Sequence, residues 1–312
     1  MRLSKIVIAV AAVLVAANAA AQDYPSRAVN MVIPFPPGGN TDLMARALQP
    51  ELAKALGQPV VVINKGGAGG TIGNIEVANA KPDGYTIGLT PNNPLTAQPH
   101  VQKLPYGMDS FKYICLTYYV PYVVMASPKA PFKTFQEFAA YAKEKPDNLI
   151  YASPGPGTQP HLGILSALSA IKAEGVHVPY TGAGPMAQAM LAGTVMAMSE
   201  STAVAKASNL NVLAVQTSQR IPSLPNVPTM KELGFPSEAF SAGGLVVPAA
   251  TPDAVVARLE KACADAVAAE PYKAATEKLN ATARFLSGKD FRKMFDEDSV
   301  ANAEAVKKAG IK

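Results

Sequence analysis

Short apolar runs alternate with stretches of helical spacing along most of this 312-residue chain. Val29-Asn30-Met31-Val32-Ile33, Pro59-Val60-Val61-Val62-Ile63 and Tyr85-Thr86-Ile87-Gly88-Leu89 read as strands. The second lacks the alternation of a half-exposed strand, so burial on both faces is expected, as in a parallel sheet. Helical patterns follow through Leu43, Ala45, Ala47 and Leu48, and again through Ile75, Val77 and Ala78, and Pro82-Asp83-Gly84 marks a turn. This rhythm predicts an α/β fold with crossover helices. Residues 111–127 read largely as strand, with Tyr118, Tyr119 and Tyr122 around Pro121.

A second α/β unit follows. Helices are expected over 135–143, 162–172 and 185–191, and strands over 149–152, 177–180, 195–198 and 211–216. The tail after Gly243-Gly244-Leu245-Val246-Val247-Pro248 reads as helix over 253–268 and again beyond Lys289. The layout this predicts has two lobes, residues 22–122 plus 246–312 and residues 123–245. The chain crosses near 121–127 and returns near 244–248, and the C-terminal helices pack on the first lobe. A cleft at the carboxyl ends of the parallel strands is the expected binding place.

The N-terminus reads as a secretory leader. Arg2 and Lys5 precede an apolar core over 6–15, and Ala19-Ala20-Ala21 is a small-residue cleavage site. That core is too short to span a bilayer, and a bacterial periplasm is the expected destination. Cleavage would leave 291 residues and lower the formal charge from +5 to +3. So small a basic excess, with no basic stretch interleaved with aromatics, argues against nucleic acid as a partner. Cys115 and Cys263 match no metal or redox spacing. Both sit in apolar context, so two unpaired core cysteines are expected in preference to a disulfide.

Two segments carry candidate chemistry. Pro36-Pro37-Gly38-Gly39-Asn40-Thr41-Asp42 joins the first strand to a helix. Glycines there free backbone N–H groups, and a helix start adds unpaired donors and partial positive charge, the makeup of an anion cradle. Tyr151-Ala152-Ser153 followed by Pro154-Gly155-Pro156-Gly157-Thr158 repeats the arrangement about 120 residues later. Gly38, Gly39, Asn40 and Thr41 would face one side of a small carboxylate, and Ser153, Gly157 and Thr158 the other. Asp42 belongs to the first loop, its charge better placed at the first helical turn than against an anion. Tyr180, Thr181 and Gly182 close a strand ahead of a further helix, and Glu200 and Ser201 follow another. His161 is expected neutral, because a cation is disfavoured at a helix N-terminus. Phe35, Met186, Met190, Met196 and Met198 are expected in the core.

Tyr24-Pro25, Ile33-Pro34-Phe35-Pro36-Pro37-Gly38-Gly39 with Thr41-Asp42, Leu56-Gly57-Gln58-Pro59, Gly67-Ala68-Gly69-Gly70 and Pro82-Asp83-Gly84-Tyr85-Thr86 resemble the TctC or Bug family, the extracytoplasmic receptors of tripartite tricarboxylate transporters. Gly157-Thr158, His161-Leu162, His177-Val178-Pro179-Tyr180-Thr181-Gly182, Leu224-Pro225-Asn226-Val227-Pro228-Thr229 and Ala309-Gly310-Ile311-Lys312 continue the match across the mature chain. The chain departs from the family pattern at Lys65-Gly66, at Val195-Met196-Ala197-Met198 and in having no tryptophan. The resemblance implies a two-lobed periplasmic binding fold of type II character whose lobes close on a small organic carboxylate. It places Ala68 and Gly69 among the ligand loops and implies membrane permease subunits as partner. A monomer without cofactor or metal is expected. A sensor for a membrane signalling partner is the alternative, and an enzyme acting on a carboxylic acid a weaker one. Three histidines and no Gly-x-Ser-x-Gly, His-Glu-x-x-His or Cys-x-x-Cys leave little catalytic equipment.

Overall fold

The computed structural model describes residues 24–311 apart from 236 and 309, so the leader lies outside the described residues. The chain runs β1 (Val29–Ile33), α1 (Asn40–Leu56), β2 (Val60–Asn64), α2 (Thr71–Ala78), β3 (Thr86–Pro91), α3 (Asn93–Thr96), α4 (Gln98–Val101) and β4 (Phe111–Ala126). It continues through α5 (Phe135–Glu144), β5 (Ile150–Ser153), α6 (Gln159–Ala170), β6 (Val176–Pro179), α7 (Ala183–Ala192), β7 (Ala197–Ser201), α8 (Thr202–Ser208) and β8 (Asn211–Val215). β9 (Phe240–Pro248), α9 (Asp253–Ala268), α10 (Glu270–Lys278), β10 (Thr282–Ser287) and α11 (Gly288–Lys308) complete it.

β4 is the spine. Its first part pairs antiparallel with β9 as far as Pro121 opposite Phe240, and β10 pairs with the same part on its other side. From Tyr122 onward β4 changes partners, to β7 and β8. Proline cannot donate to a ladder, and Pro121 stands where one set of partners gives way to the other. β1 lies parallel between β2 and β3, and β3 runs antiparallel to β9. In the second half, β5 lies parallel between β6 and β7. Two parallel three-strand units therefore flank a shared strand pair, the first joined to β9 through β3 and the second to β4 through β7, and the loops after β1 and β5 each lead into a helix.

Each half has its own apolar core. Val29, Met31 and Ile33 meet Leu48 and Leu52 of α1 and Leu259 of α9 in the first. Phe132, Phe135 and Phe138 pack with Tyr151 in the second, and Met186, Met190 and Met198 fill its other face. Ala97, Leu162 and Val306 form a small cluster joining the α4 region, α6 and α11.

Two expectations are overturned. β2 is not buried on both faces: it ends the sheet, and Val61 is exposed. Cys115 of β4 and Cys263 of α9 are joined by a disulfide, and both are fully buried. The apolar setting that suggested free thiols is the contact between sheet and helix that brings the sulfurs together. The bond fastens α9 to the spine across 148 residues of sequence. Replacing both cysteines by alanine is expected to cost ~2–5 kcal/mol of stability. Urea unfolding of the double variant checks this, and an unchanged midpoint would contradict it.

Candidate functional site

The loop after β1 is held by Asp42. Gly38 adopts φ +81°, a left-handed conformation suited to glycine, and donates its N–H to Asp42 Oδ2 at 2.9 Å. Arg46 Nε donates to both carboxylate oxygens at 3.0 Å, and Asn64 Nδ2 donates to Oδ1 at 2.8 Å. Burial alone would raise the Asp42 carboxyl. The Arg46 bond, the Gly38 amide and Asn64 outweigh it and hold the group below its ordinary value. The Gly38 donor is thus committed inside the loop. Gly39, the residue ahead of α1, has no side chain with which to cap it. The first intrahelical bond is Leu43 N to Gly39 O at 3.0 Å, so the first-turn amides of Asn40, Thr41 and Asp42 have no partner in their own helix. Those amides are the open donors of the loop.

The loop after β5 is built the same way with different chemistry. Gly157, at φ +68°, donates its N–H to His161 Nδ1 at 3.1 Å, again the side chain four residues on. His161 is therefore unprotonated at Nδ1. His177 stacks on it with ring centroids 4.1 Å apart, and Tyr151 stacks on His177 at 5.3 Å. Ser153 Oγ pairs with His177 Nε2 at 2.6 Å and donates to Gly155 O, while Thr158 Oγ1 donates to the same carbonyl at 2.7 Å. Thr158 precedes α6 without capping it, which leaves the amides of Gln159 and His161 open.

The segment after β3 joins the loop after β5 to the glycine loop after β2. Asn93 Nδ2 donates to Gly157 O at 2.8 Å. A Cβ on Gly157 would collide with Val101, and one on Gly69 would lie 2.9 Å from the Gln98 carboxamide. Gly69 stands at φ +67°. On the spine side, Asn40 Nδ2 donates to Ser241 Oγ at 3.2 Å. Tyr118, pushed up to about 12 by burial, sets its hydroxyl beside Thr41 and Ser241 without completing a well-formed hydrogen bond. Tyr122 lies against Ser241 and Glu200.

Gly38–Asp42, Ala68–Gly69, the Ser153–Thr158 loop and Glu200 are thereby connected through Asn93, Gln98, Tyr118, Tyr122 and Ser241. None of these five is signalled as a ligand position by the sequence, although Asn92-Asn93-Pro94 is a third strand-to-helix junction. Ser201 caps α8 through Val204 N. Tyr180 touches the constellation through its backbone, donating to Ser153 O at 2.9 Å, and Thr181 is exposed. Gly182 precedes α7 without a side-chain cap.

Five of the buried polar side-chain atoms without a hydrogen-bond partner belong to this constellation: Asn40 Oδ1, Asn93 Oδ1, Gln98 Nε2, Gln159 Oε1 and the Tyr118 hydroxyl. An open groove of about 690 Å³ lies elsewhere, between Thr202–Leu210 and Ala274–Asn280. None of the unpartnered atoms lines it, so chemistry favours the loops over this groove. Among the described residues no group of His, Cys, Asp and Glu is arranged to hold a metal, and no helix is long and apolar enough to cross a membrane.

Two parallel units hung from shared strands, each with a strand-to-helix loop whose first-turn amides are uncapped, define a two-lobed solute-binding architecture. The chain belongs to the TctC family: the profile of the tripartite tricarboxylate transporter family receptor matches residues 44–311. Protein BugT of Bordetella pertussis is 36% identical over 243 residues, 75% of this chain and 74% of BugT. The structure of the periplasmic binding protein BugD is similar at a TM-score of 0.85 and 34% identity, over 93% of this chain and 99% of BugD. MatC of Rhodopseudomonas palustris, solved with bound malate, gives a TM-score of 0.83 at 31% identity, over 91% of this chain and all 100% of the MatC chain.

The stacked histidines give the site a pH signature. Burial, then the neighbouring His177, pushes His161 down from 6.5 to about 4. The folded chain disfavours its protonation, so this stability is complete above pH 6.5, declines as pH falls and is gone below about 4. Glu200 acts oppositely. Burial raises it from 4.5 to about 7, so its stability is complete below 4.5 and lost as pH rises through 7. A difference between proteins separates the two. His161→Asn can still accept from Gly157 but does not titrate. Between pH 6.5 and 4 it is expected to lose less stability to acid than the parent, by about 3 kcal/mol. Urea titrations at the two pH values check this, and equal losses would contradict it.

Proposed function

We propose that the chain is exported by its leader to the periplasm, where it captures a small organic carboxylate by lobe closure and delivers it to permease subunits of a tripartite tricarboxylate transporter. In this reading it acts as a monomer and performs no chemistry on its ligand. The lobes are residues 22–122 plus 246–312 and residues 123–245, turning about β4 and β9. The ligand positions are those of the two loops, with Ala68, Gly69, Tyr180, Thr181, Gly182, Glu200 and Ser201 around them. The observation that supports it best is the Asn93–Gly157 hydrogen bond of 2.8 Å. It spans from the first half to the second beside the start of α6, whose first-turn amides are open. Helix starts favour anions through those amides and through the helix dipole, and a charge-assisted hydrogen bond contributes ~1.5–3 kcal/mol. The malate bound in MatC is a ligand of the same chemical class. Ser153 and His177 form a hydroxyl–imidazole pair, but Ser153 is fully buried and shares its oxygen with Gly155, which argues against a nucleophile.

Gly39→Asp tests the donor assignment. Gly39 has φ −77° and ψ 166°, an extended conformation open to any residue, and an added Cβ would make only an ordinary contact with Pro36 O at 3.5 Å. A carboxylate there caps α1, stabilising the fold by ~1 kcal/mol while occupying the amides and repelling an anion. In thermal shift against a panel of organic acids, the parent at a hundredfold excess over Kd should gain ~2.7 kcal/mol. The variant is expected to start as stable or more stable and to gain little. A variant that responds as fully as the parent would remove these amides from the site.

A further inference from the structure

We propose that the ligand carries, besides its carboxylate, a neutral group with both a donor and an acceptor, a hydroxyl or a primary carboxamide, recognised by Asn93, Gln98 and Gln159. The inference rests on the carboxylate reading above and names what the other end of that ligand must be. The three amides are 4%, 3% and 7% exposed, and each leaves one polar atom unpartnered: Asn93 Oδ1, Gln98 Nε2 and Gln159 Oε1. They lie along one short path. Gln98 meets Gly69, Val101 one turn later meets Gly157, Asn93 bonds Gly157 O, and Gln159 follows two residues beyond.

The fixed ends of these side chains decide what the open ends offer. Gly157 O can only accept, so Asn93 must donate through Nδ2 and present its oxygen. Gln98 pairs with the exposed Gln102 amide, which donates to Gln98 Oε1 at 2.9 Å, and in that arrangement Gln98 offers its nitrogen. Among the described residues no hydrogen bond fixes the Gln159 amide, which can present either end. A second carboxylate has no proton to give and would face the Asn93 oxygen with lone pairs. An ammonium group has no lone pair for the Gln98 donor, and among the described residues no carboxylate hydrogen-bonds to any of the three amides. A hydroxyl or a carboxamide serves both Asn93 and Gln98. Charge agrees. Among the described residues no lysine or arginine hydrogen-bonds to any of the three, and Arg46 is committed to Asp42 and Asn64. A second buried anion would therefore lack a counter-charge.

Calorimetric titration of the intact mature protein tests this with acids of three to six carbons in five matched series: unsubstituted alkanoates, 2-hydroxy and ω-hydroxy acids, ω-carboxamido acids, α,ω-dicarboxylates and ω-amino acids. A hydroxy or carboxamido acid is expected to bind at least about tenfold tighter than the other acids of its length. Gln98→Met, which keeps the length without polar atoms, and Gln98→Ala should erase that advantage, so that on each variant hydroxy and carboxamido acids bind no tighter than the alkanoate of the same length. If dicarboxylates or amino acids bind best, or all series bind alike, this inference falls and the carboxylate reading stands. If none of the acids binds at millimolar concentration, both fall.

Discussion

Buried polar groups must find partners, and between the two halves of this molecule several have none within the chain. That constraint organises the site. At both strand-to-helix loops a glycine in the left-handed region donates its N–H to the side chain four residues on, to Asp42 in one and to His161 in the other. Each loop is thus made rigid from within. The helix that follows keeps its first-turn amides uncapped, because glycine precedes α1 and the Thr158 hydroxyl turns back to Gly155. Rigid loops with open donors are preorganised for a guest and lose little order on binding. One loop anchors through a carboxylate already balanced by Arg46. The other anchors through a neutral imidazole, so acid acts on the second far more than on the first.

What holds the loops near one another lies outside them. Asp298 of α11 accepts from Asn92, from Thr96 at 2.6 Å and from Asn302, and so braces the short helices that carry Asn93 and Gln98. Burial raises this carboxyl, against those three hydrogen bonds. Leu162 at the start of α6 meets Ala97 and Val306, so the C-terminal helix touches both sides of the junction. On the other side, Ser241 of β9 links Asn40 to the tyrosines of β4. The shared strands thereby connect the two halves and carry part of the same polar constellation.

The frame was legible where local pattern and tertiary role agree. β1, β2 and β3 with the helices after β1 and β2 follow from apolar runs and glycine loops, and the 16-residue β4 from an apolar stretch that tolerates one proline. The neutral state of His161 followed from the helix start. Other features depend on partners that spacing does not encode. α3 and α4 contain Pro94 and Pro99, which read as breakers but sit in first turns, where proline is tolerated. β10 exposes Phe285 and reads as irregular until β4 pairs with it. Glu200 falls inside β7, not after it, because the strand runs on to Ser201. The pairing of Cys115 with Cys263 and the roles of Gln98 and Ser241 exist only once distant segments meet. The amides of Gly38 and Gly157 look free in sequence and are not, since that depends on side-chain direction.

A shared guest requires helix-start amides from the two halves to face it together. The most direct measurement is a crystal structure with the acid that gives the largest thermal shift. It should place the carboxylate within hydrogen-bond distance of the Asn40 or Thr41 amide on one side and of the Gln159 or His161 amide on the other. A ligand seated in the groove between Thr202–Leu210 and Ala274–Asn280, with neither helix start in contact, would contradict it.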